Sequence, residues 1–325
     1  MDLHSIFINT DGRLRSGWRL LLYAFLFLAI YILLGTGLWI MSGVLGPFIE
    51  HLPHVTFVRD VVGRLVMLTS AIAAGYLCNR FLEGLPWRAL GLTLHTGWLR
   101  DFIVGSVIGL VSLFIAVGLA TIGRGLRFSF NGNGVLIVVE SLASTIVLFV
   151  VAAVAEEAIF RGYALQTLTR AQLALVGILL TSVPFSIGHL WNPNVVPVVT
   201  FVNTALAGVW LSLAYLRTRS LWFPLGIHWA WNWALNSVCG LPVSGLKVTS
   251  NPLFHGTDLG PSWLTGGSYG IEGGAAAFIA LILSTLFVWK TSLVQPTPEM
   301  FDLTSHENPA VPKAEISIRQ TERQV

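Results

Sequence analysis

The sequence predicts an all-α fold: a polytopic membrane helical bundle of about eight transmembrane helices, with both termini cytoplasmic. Composition and pattern together predict it. Of 325 residues, 54% are hydrophobic and only 11% are charged, against about 25% charged in a soluble domain. Nineteen basic and sixteen acidic side chains cannot cover a water-soluble globule of this length, and the mean hydropathy is +0.73. The apolar residues fall into runs of about 20, the length a helix needs to cross a bilayer. Cys78 and Cys239 both lie inside apolar stretches, which excludes a disulfide scaffold.

The first span runs from about Leu20 to Leu45, behind a mostly polar segment carrying Arg13, Arg15 and Arg19. Its apolar core exceeds the roughly 7–15 residues of a signal peptide, so it reads as a retained helix. Further spans are expected at about Val58–Phe81, Leu99–Ile122, Val135–Thr167, Ala171–Leu190, Val195–Leu216, Leu221–Gly240 and Gly274–Thr291. Basic residues set the orientation of such a bundle. One side collects Arg13, Arg15, Arg19, Arg80, Arg88, Arg100, Arg170, Arg217, Arg219 and Lys290; the other keeps Arg59, Arg124, Arg127 and Lys247. The richer side is assigned to the cytoplasm. Gly84–Gly91, with Trp87, reads as an interfacial stretch, and Leu241–Gly273 as a long outer loop whose glycine pairs make tight turns. The segment 293–325, with four prolines and eight charged residues, is expected to be disordered.

Ionisable side chains at membrane depth are costly, at least about 2.5–3.5 kcal/mol on insertion scales, so each demands a reason. They gather in the second half of the chain: Glu156-Glu157-Ala158-Ile159-Phe160-Arg161, then Phe185-Ser186-Ile187-Gly188-His189, then His228-Trp229-Ala230-Trp231-Asn232. The first half offers only Arg64. Glu157 and Arg161 are four apart and stack on one helix face, whereas Glu156 is rotated about 100° away. Phe185 with His189, and His228 with Asn232, share faces by the same rule. Each group alone has a structural explanation: a packing clamp for Glu157–Arg161, an interfacial residue for His189, an interhelical hydrogen-bond pair for His228 and Asn232. Glu140, Asn203 and Asn236 fit such roles as well.

In that order, on successive helices, EEAIFR (156–161), FSIGH (185–189) and HWAWN (228–232) resemble the three motifs of the CPBP intramembrane proteases. That family comprises the Rce1-like, type 2 CAAX prenyl proteases and bacterial Abi relatives, some linked to bacteriocin self-immunity. Gly162-Tyr163 and the stretch 260–274 also look like bacterial members. The resemblance is firm over about 135–240 and looser beyond. It implies that residues 135–292 form the catalytic helical core, behind an N-terminal three-helix part at 1–134. It implies an endopeptidase acting on a membrane-associated protein or peptide, of the kind matured at a prenylated CAAX box, in the cell membrane. Under it Glu156 and His189 activate water, His228 and Asn232 stabilise the transition state, and Glu157, Arg161 and Phe185 support them.

The residues taken by themselves leave the mechanism open. A carboxylate in a partly dehydrated cavity can serve as base, and His228 and Asn232 offer N–H donors to an oxyanion. The competing chemistry is a divalent metal held by Glu156, His189 and His228. The chain has no HExxH, so the expectation is that no cofactor is needed. Helix arithmetic places the cavity in the cytoplasmic half, with Pro184 kinking the fifth span. The expected partners are membrane lipids and a membrane-associated substrate. Phosphate loops and nucleic-acid patches are missing. A non-catalytic scaffold or immunity factor of the same fold is the rival function. A transporter would carry polar residues in both halves.

Overall fold

A computed structural model of the chain describes residues 6–9, 12–51 and 54–305. Apolar helices occupy all eight expected places: α1 Ser16–Ile49, α2 Val55–Cys78, α3 Trp98–Ile122, α4 Val135–Glu157, α5 Ala174–His189, α6 Pro197–Thr218, α7 Trp222–Trp233 and α8 Ala275–Lys290. Three of them run on into π-helical turns: α2 over Asn79–Glu83, α4 over Ala158–Ala164 before a last α-turn to Arg170, and α7 over Ala234–Val238. Among the described residues, five of these helices, α1 to α4 and α6, are long and apolar enough to cross a membrane; α5 and α8 are shorter apolar helices. Only 6% of the most apolar window of α1 is buried, so nearly all of its surface faces outward.

Two kinds of contact hold the bundle. The first is apolar: Leu113, Ala116, Phe149, Trp210, Leu211, Phe223 and Ile227 anchor one continuous core among α3, α4, α6, α7 and α8. The second is glycine-mediated. A side-chain carbon on Gly105 of α3 would overlap the Phe223 carbonyl oxygen, one on Gly109 that of Ile227, and one on Gly226 of α7 that of Phe102. Without a hydrophobic drive between helices in lipid, such close backbone approach is what van der Waals packing rewards. The third helix is therefore bound to the seventh and belongs to the core, although its sequence position groups it with α1 and α2.

Both described ends of the chain lie at one end of the bundle. There Arg19 and Arg170 meet Glu83 at 3.5 and 2.7 Å, all three side chains buried, and Arg170 reaches Gln166 at 3.2 Å. Residue spacing does not signal this cluster, because Glu83 and Arg170 sit at helix ends, where charge is common. Residues 293–305 correct the expectation of a disordered tail. A helix, α9 (Pro298–Ser305), docks here with Met300 fully buried, Glu299 paired to Arg88, and the Ser305 carbonyl accepting from Gln172 at 3.2 Å. The remainder of that tail lies outside the described residues.

At the opposite end, strand β1 (Leu126–Phe130) pairs antiparallel with β2 (Phe254–Asp258), Leu126 opposite Asp258 and Phe130 opposite Phe254. The pairing fastens the long 241–273 loop to the turn that follows α3. Gly266 and Gly267 adopt φ of +81° and +59°, the left-handed region that glycine enters without strain.

Candidate active site

The diacidic pair closes α4 and the π-helical turn begins at the next residue. A π-turn widens the helix and releases backbone carbonyls from the regular ladder, which is why such turns recur at functional sites. Here the hydroxyl of Tyr23 on α1 donates to the Ile159 carbonyl at 3.0 Å. The four-residue spacing of Glu157 and Arg161 survives the widening: Nη1 of Arg161 meets Oε1 of Glu157 at 3.1 Å, with both side chains fully buried. Nη2 of Arg161 donates to the Gly208 carbonyl at 3.0 Å. Gly208 is where α6 presses on Ser182 of α5, with no room for a side-chain carbon. Phe185 lies under the guanidinium, 4.9 Å from its centre, and its ring also contacts His189 at 4.7 Å and His228 at 6.2 Å.

His228 lies between the two carboxylates. Its Nδ1 is 2.8 Å from Oε1 of Glu157, and its Nε2 is 3.7 Å from Oε2 of Glu156. An ionised carboxylate only accepts, so Nδ1 carries the proton it shares with Glu157, and Nε2 is the atom left for other work. His228 itself is buried, whereas the Glu156 side chain is 18% exposed and also faces Nη1 of Arg64 on α2 at 3.7 Å. The 100° rotation between the carboxylates thus separates their surroundings: Glu157 is sealed, and Glu156 is partly wet.

A cavity of about 50 Å³ is lined by His189, His228 and Asn232, with Phe185, Trp231 and Glu272 among its walls. One water needs about 10–15 Å³ by the same measure, so several fit. His189 fixes its tautomer by donating Nδ1–H to the Phe185 carbonyl at 2.7 Å, which leaves Nε2 as an acceptor. Asn232 makes no hydrogen bond within the described residues, so its amide is free to serve a ligand. Glu156 does not line this cavity; it reaches it through His228. Of the three ionisable groups expected together, His189 and His228 line the cavity and Glu156 stands behind His228.

The cavity lies toward the end of the bundle away from the described chain ends. Its walls include Ser244 and Glu272 of the 241–273 loop and Asn203 near the start of α6. The α-helix of the fifth span runs through Pro184 without a break and ends at His189, so His189 is delivered near that end. Glu272 was not foreseen. Its carboxylate accepts from Trp231 Nε1 at 3.0 Å and from the Ser244 hydroxyl at 3.0 Å, tying the loop to α7 beside the cavity. A carboxylate in a Gly-rich loop carries no spacing signal, so sequence alone could not place it. Asn203 binds the carbonyls of Glu272 and Gly274 at 2.7 and 3.0 Å, in the linking role expected of it. In the same loop the buried phenol of Tyr269 is pushed up to about 12, first by burial and then by the neighbouring Glu272.

Among the described residues no three His, Cys, Asp or Glu side chains are placed to share a metal ion. Glu156, His189 and His228 are not gathered to share an ion here.

Residues 138–234 match a family model described as type II CAAX prenyl endopeptidase, Rce1-like. No curated protein and no solved structure matches the chain. The matched stretch contains the diacidic pair, Arg161, Phe185, both histidines and Asn232, on helices arranged as a membrane bundle. Over that stretch the chain is similar to the Rce1-like, type II CAAX prenyl endopeptidase family.

Proposed function

We propose that the protein is an intramembrane endopeptidase, resident as a multi-pass protein of the cell membrane, that hydrolyses a peptide bond of a membrane-associated substrate with a water activated by Glu156. The observation that carries this reading is the placement of His228 between two carboxylates of unlike exposure, at 2.8 and 3.7 Å, beside a cavity with room for water. Protein chemistry offers few reasons to hold a histidine this way at membrane depth other than proton transfer.

The reaction follows from the geometry. Water in the cavity releases a proton toward Glu156 by way of Nε2 of His228 as its oxygen attacks the scissile carbonyl carbon. Oε2 of Glu156 faces Nε2 of His228, which accepts that proton while Glu157 holds Nδ1 and supports the imidazolium. The charged ring and the free Asn232 amide then donate to the oxyanion, a contribution typically worth about 2.7–4 kcal/mol per donor. When the C–N bond breaks, His228 returns the proton to the leaving amine. His189 Nε2, an acceptor at the cavity wall, holds the water in line. Arg161 holds Oε1 of Glu157 at 3.1 Å and so acts through it as a positioning residue.

Ten of the basic residues gather at the end of the bundle that holds the described chain ends, which supports a cytoplasmic location for that end. The cavity then faces the outer half of the membrane.

Cleavage of peptides by the purified protein in detergent, with and without exhaustive chelation, tests this reading. Product should form in both conditions, and Glu156→Gln should abolish it. Activity that disappears on chelation and returns with stoichiometric zinc would overturn the metal-free mechanism. A folded protein that cleaves nothing would favour a scaffold or immunity role.

A further inference from the structure

Glu272 has no part in the scheme above, yet it lines the cavity in which that scheme runs, together with His189, His228 and Asn232. Neutral donors already hold both of its oxygens. Oε1 accepts from the Trp231 indole at 3.0 Å, and Oε2 accepts from the hydroxyl of Ser244 at 3.0 Å and from its backbone N–H. Among the described residues no arginine, lysine or histidine pairs with it. The other two carboxylates of the site each have a guanidinium beside them, Arg161 at Glu157 and Arg64 at Glu156. A half-buried carboxylate without a countercharge is costly, so a cation that enters this cavity finds a charge waiting for it.

The same wall is rich in acceptors. Asn203 spends its Nδ2 on the carbonyls of Glu272 and Gly274, which leaves Oδ1 without a partner among the described residues. His189 Nε2 is an acceptor too. An ammonium, with three donors and no acceptor, suits such a wall. A guanidinium prefers a clear carboxylate edge for two parallel bonds, whereas Trp231 and Ser244 already occupy one Glu272 oxygen each. Size agrees, since about 50 Å³ admits a compact head group. The indoles of Trp210 and Trp231, crossed at 5.8 Å, form the adjoining wall, and an indole face attracts an ammonium. Ala207, Leu211 and Leu281 offer apolar surface to an alkyl stem.

We propose that Glu272 anchors a subsite for a lysine side chain of the substrate and so directs cleavage to bonds beside a lysine. This rests on the proteolytic reading of the cavity. An extended peptide advances about 3.3–3.6 Å per residue. An ammonium at Glu272 and a carbonyl at His228 share one small cavity, so the lysine stands within a residue or two of the scissile bond. A peptide N-terminus carries the same group, but an endopeptidase has chain on both sides of the bond, which favours a side chain. Glu272 is then a specificity residue: it holds a charge and exchanges no proton.

The test uses N-acetylated Ala/Leu peptides in phosphatidylcholine nanodiscs, with one lysine walked through the sequence. Norleucine, which keeps the stem and lacks the charge, is the control at each position. Cut sites are read by mass spectrometry, and equilibrium binding of the labelled peptides is measured in parallel, for wild type, Glu272→Gln and Glu272→Asp. Wild type should bind and cleave the best lysine peptide at least about tenfold better than its norleucine partner, the scale of one charge-assisted contact. Glu272→Gln should bring that ratio close to one, and Glu272→Asp should keep part of it. Both peptides meet the same protein, so a loop merely loosened by the substitution lowers both rates and leaves the ratio unchanged.

Equal handling of lysine and norleucine by a wild type that cleaves both overturns the proposal and leaves the protease reading intact. A lysine preference that survives in Glu272→Gln also overturns it. So does a norleucine peptide with a free N-terminus that matches the lysine peptide, since the α-ammonium is then the ligand. A preference lost when phosphatidylethanolamine is added does the same, since a lipid ammonium would then hold the site. Lysine-selective binding that depends on Glu272, without any cleavage, would support the subsite and sink the protease reading instead. Neither selective binding nor cleavage would sink both.

Discussion

Glu157 and His228 are joined at 2.8 Å across α4 and α7, and the carboxylate oxygen that accepts from His228 is the one that Arg161 holds at 3.1 Å. One oxygen atom therefore links three motif residues on two helices. That makes the second glutamate of the pair a structural and an electrostatic centre at once.

Replacing Glu157 should accordingly harm both fold and activity. Glu157→Gln leaves Arg161 as a buried charge without its partner, a change that typically costs about 3–5 kcal/mol. Folded yield and melting temperature in detergent should both fall. Pairing it with Arg161→Met should recover stability relative to either single variant, but not cleavage, because His228 would still lack its acceptor. Equal stability losses that simply add would show that the two side chains are uncoupled.

Glu156→Gln should behave in the opposite way. The side chain is partly exposed and its contacts, at 3.7 Å to Arg64 and to His228, are loose. The amide keeps the shape and removes the base. Melting should be nearly unchanged, while kcat/KM falls at least about 10²-fold, the usual range for a general base.

Gly226→Ala should be destabilising out of proportion to its size. The added carbon would overlap the Phe102 carbonyl and push α7, with His228, away from α3. Overpacking of this kind costs about 1–3 kcal/mol. Gly118→Ala, on the same α3 but with nothing within 4 Å of the new carbon, is the control and should be neutral or slightly stabilising. A thermal melt of the two variants separates close approach from helix propensity.

Alkaline pH should loosen the outer loop before the rest of the bundle. An unperturbed tyrosine ionises near 10, and Tyr269 in the fold does so at about 12. The folded loop thus holds its proton more tightly than the unfolded one. Its stabilisation is complete below about pH 10 and is lost as pH rises through about 12. Limited proteolysis within 241–273 should accelerate across that window, and Tyr269→Phe should remove the dependence.

Much of this was legible in the sequence, for reasons that differ by residue. The eight apolar runs needed only length and hydropathy, and their helices begin and end within a few residues of the expected places. Glu157 and Arg161 could be paired from helical spacing alone. The contact between Glu157 and His228 could not, since it depends on how α4 and α7 are rotated, which the glycine approach to α3 helps to set. Arg64 was visible as an oddity but not as a neighbour of Glu156, because spacing within one helix says nothing about the next. The buried group of Arg19, Glu83 and Arg170 gave no sequence signal, and α9 was hidden in a proline-rich, polar stretch. The end of the bundle at which the cavity lies could not be counted from sequence, because it depends on the unbroken run of α5 through Pro184 to His189.

The hydrogen bond from Tyr23 to the Ile159 carbonyl has a consequence for what can be transplanted. The stretch 138–234 that matches the family model holds every motif residue, yet it is not a portable module. Its widened turn is capped from α1, Glu156 faces an arginine of α2, and the backbone against which α7 rests is that of α3. Grafted into a foreign bundle, the stretch would keep its letters and lose its walls. The smallest fragment that preserves the site begins with the first helix, so truncation from the N-terminus should disable the protein well before any motif is reached.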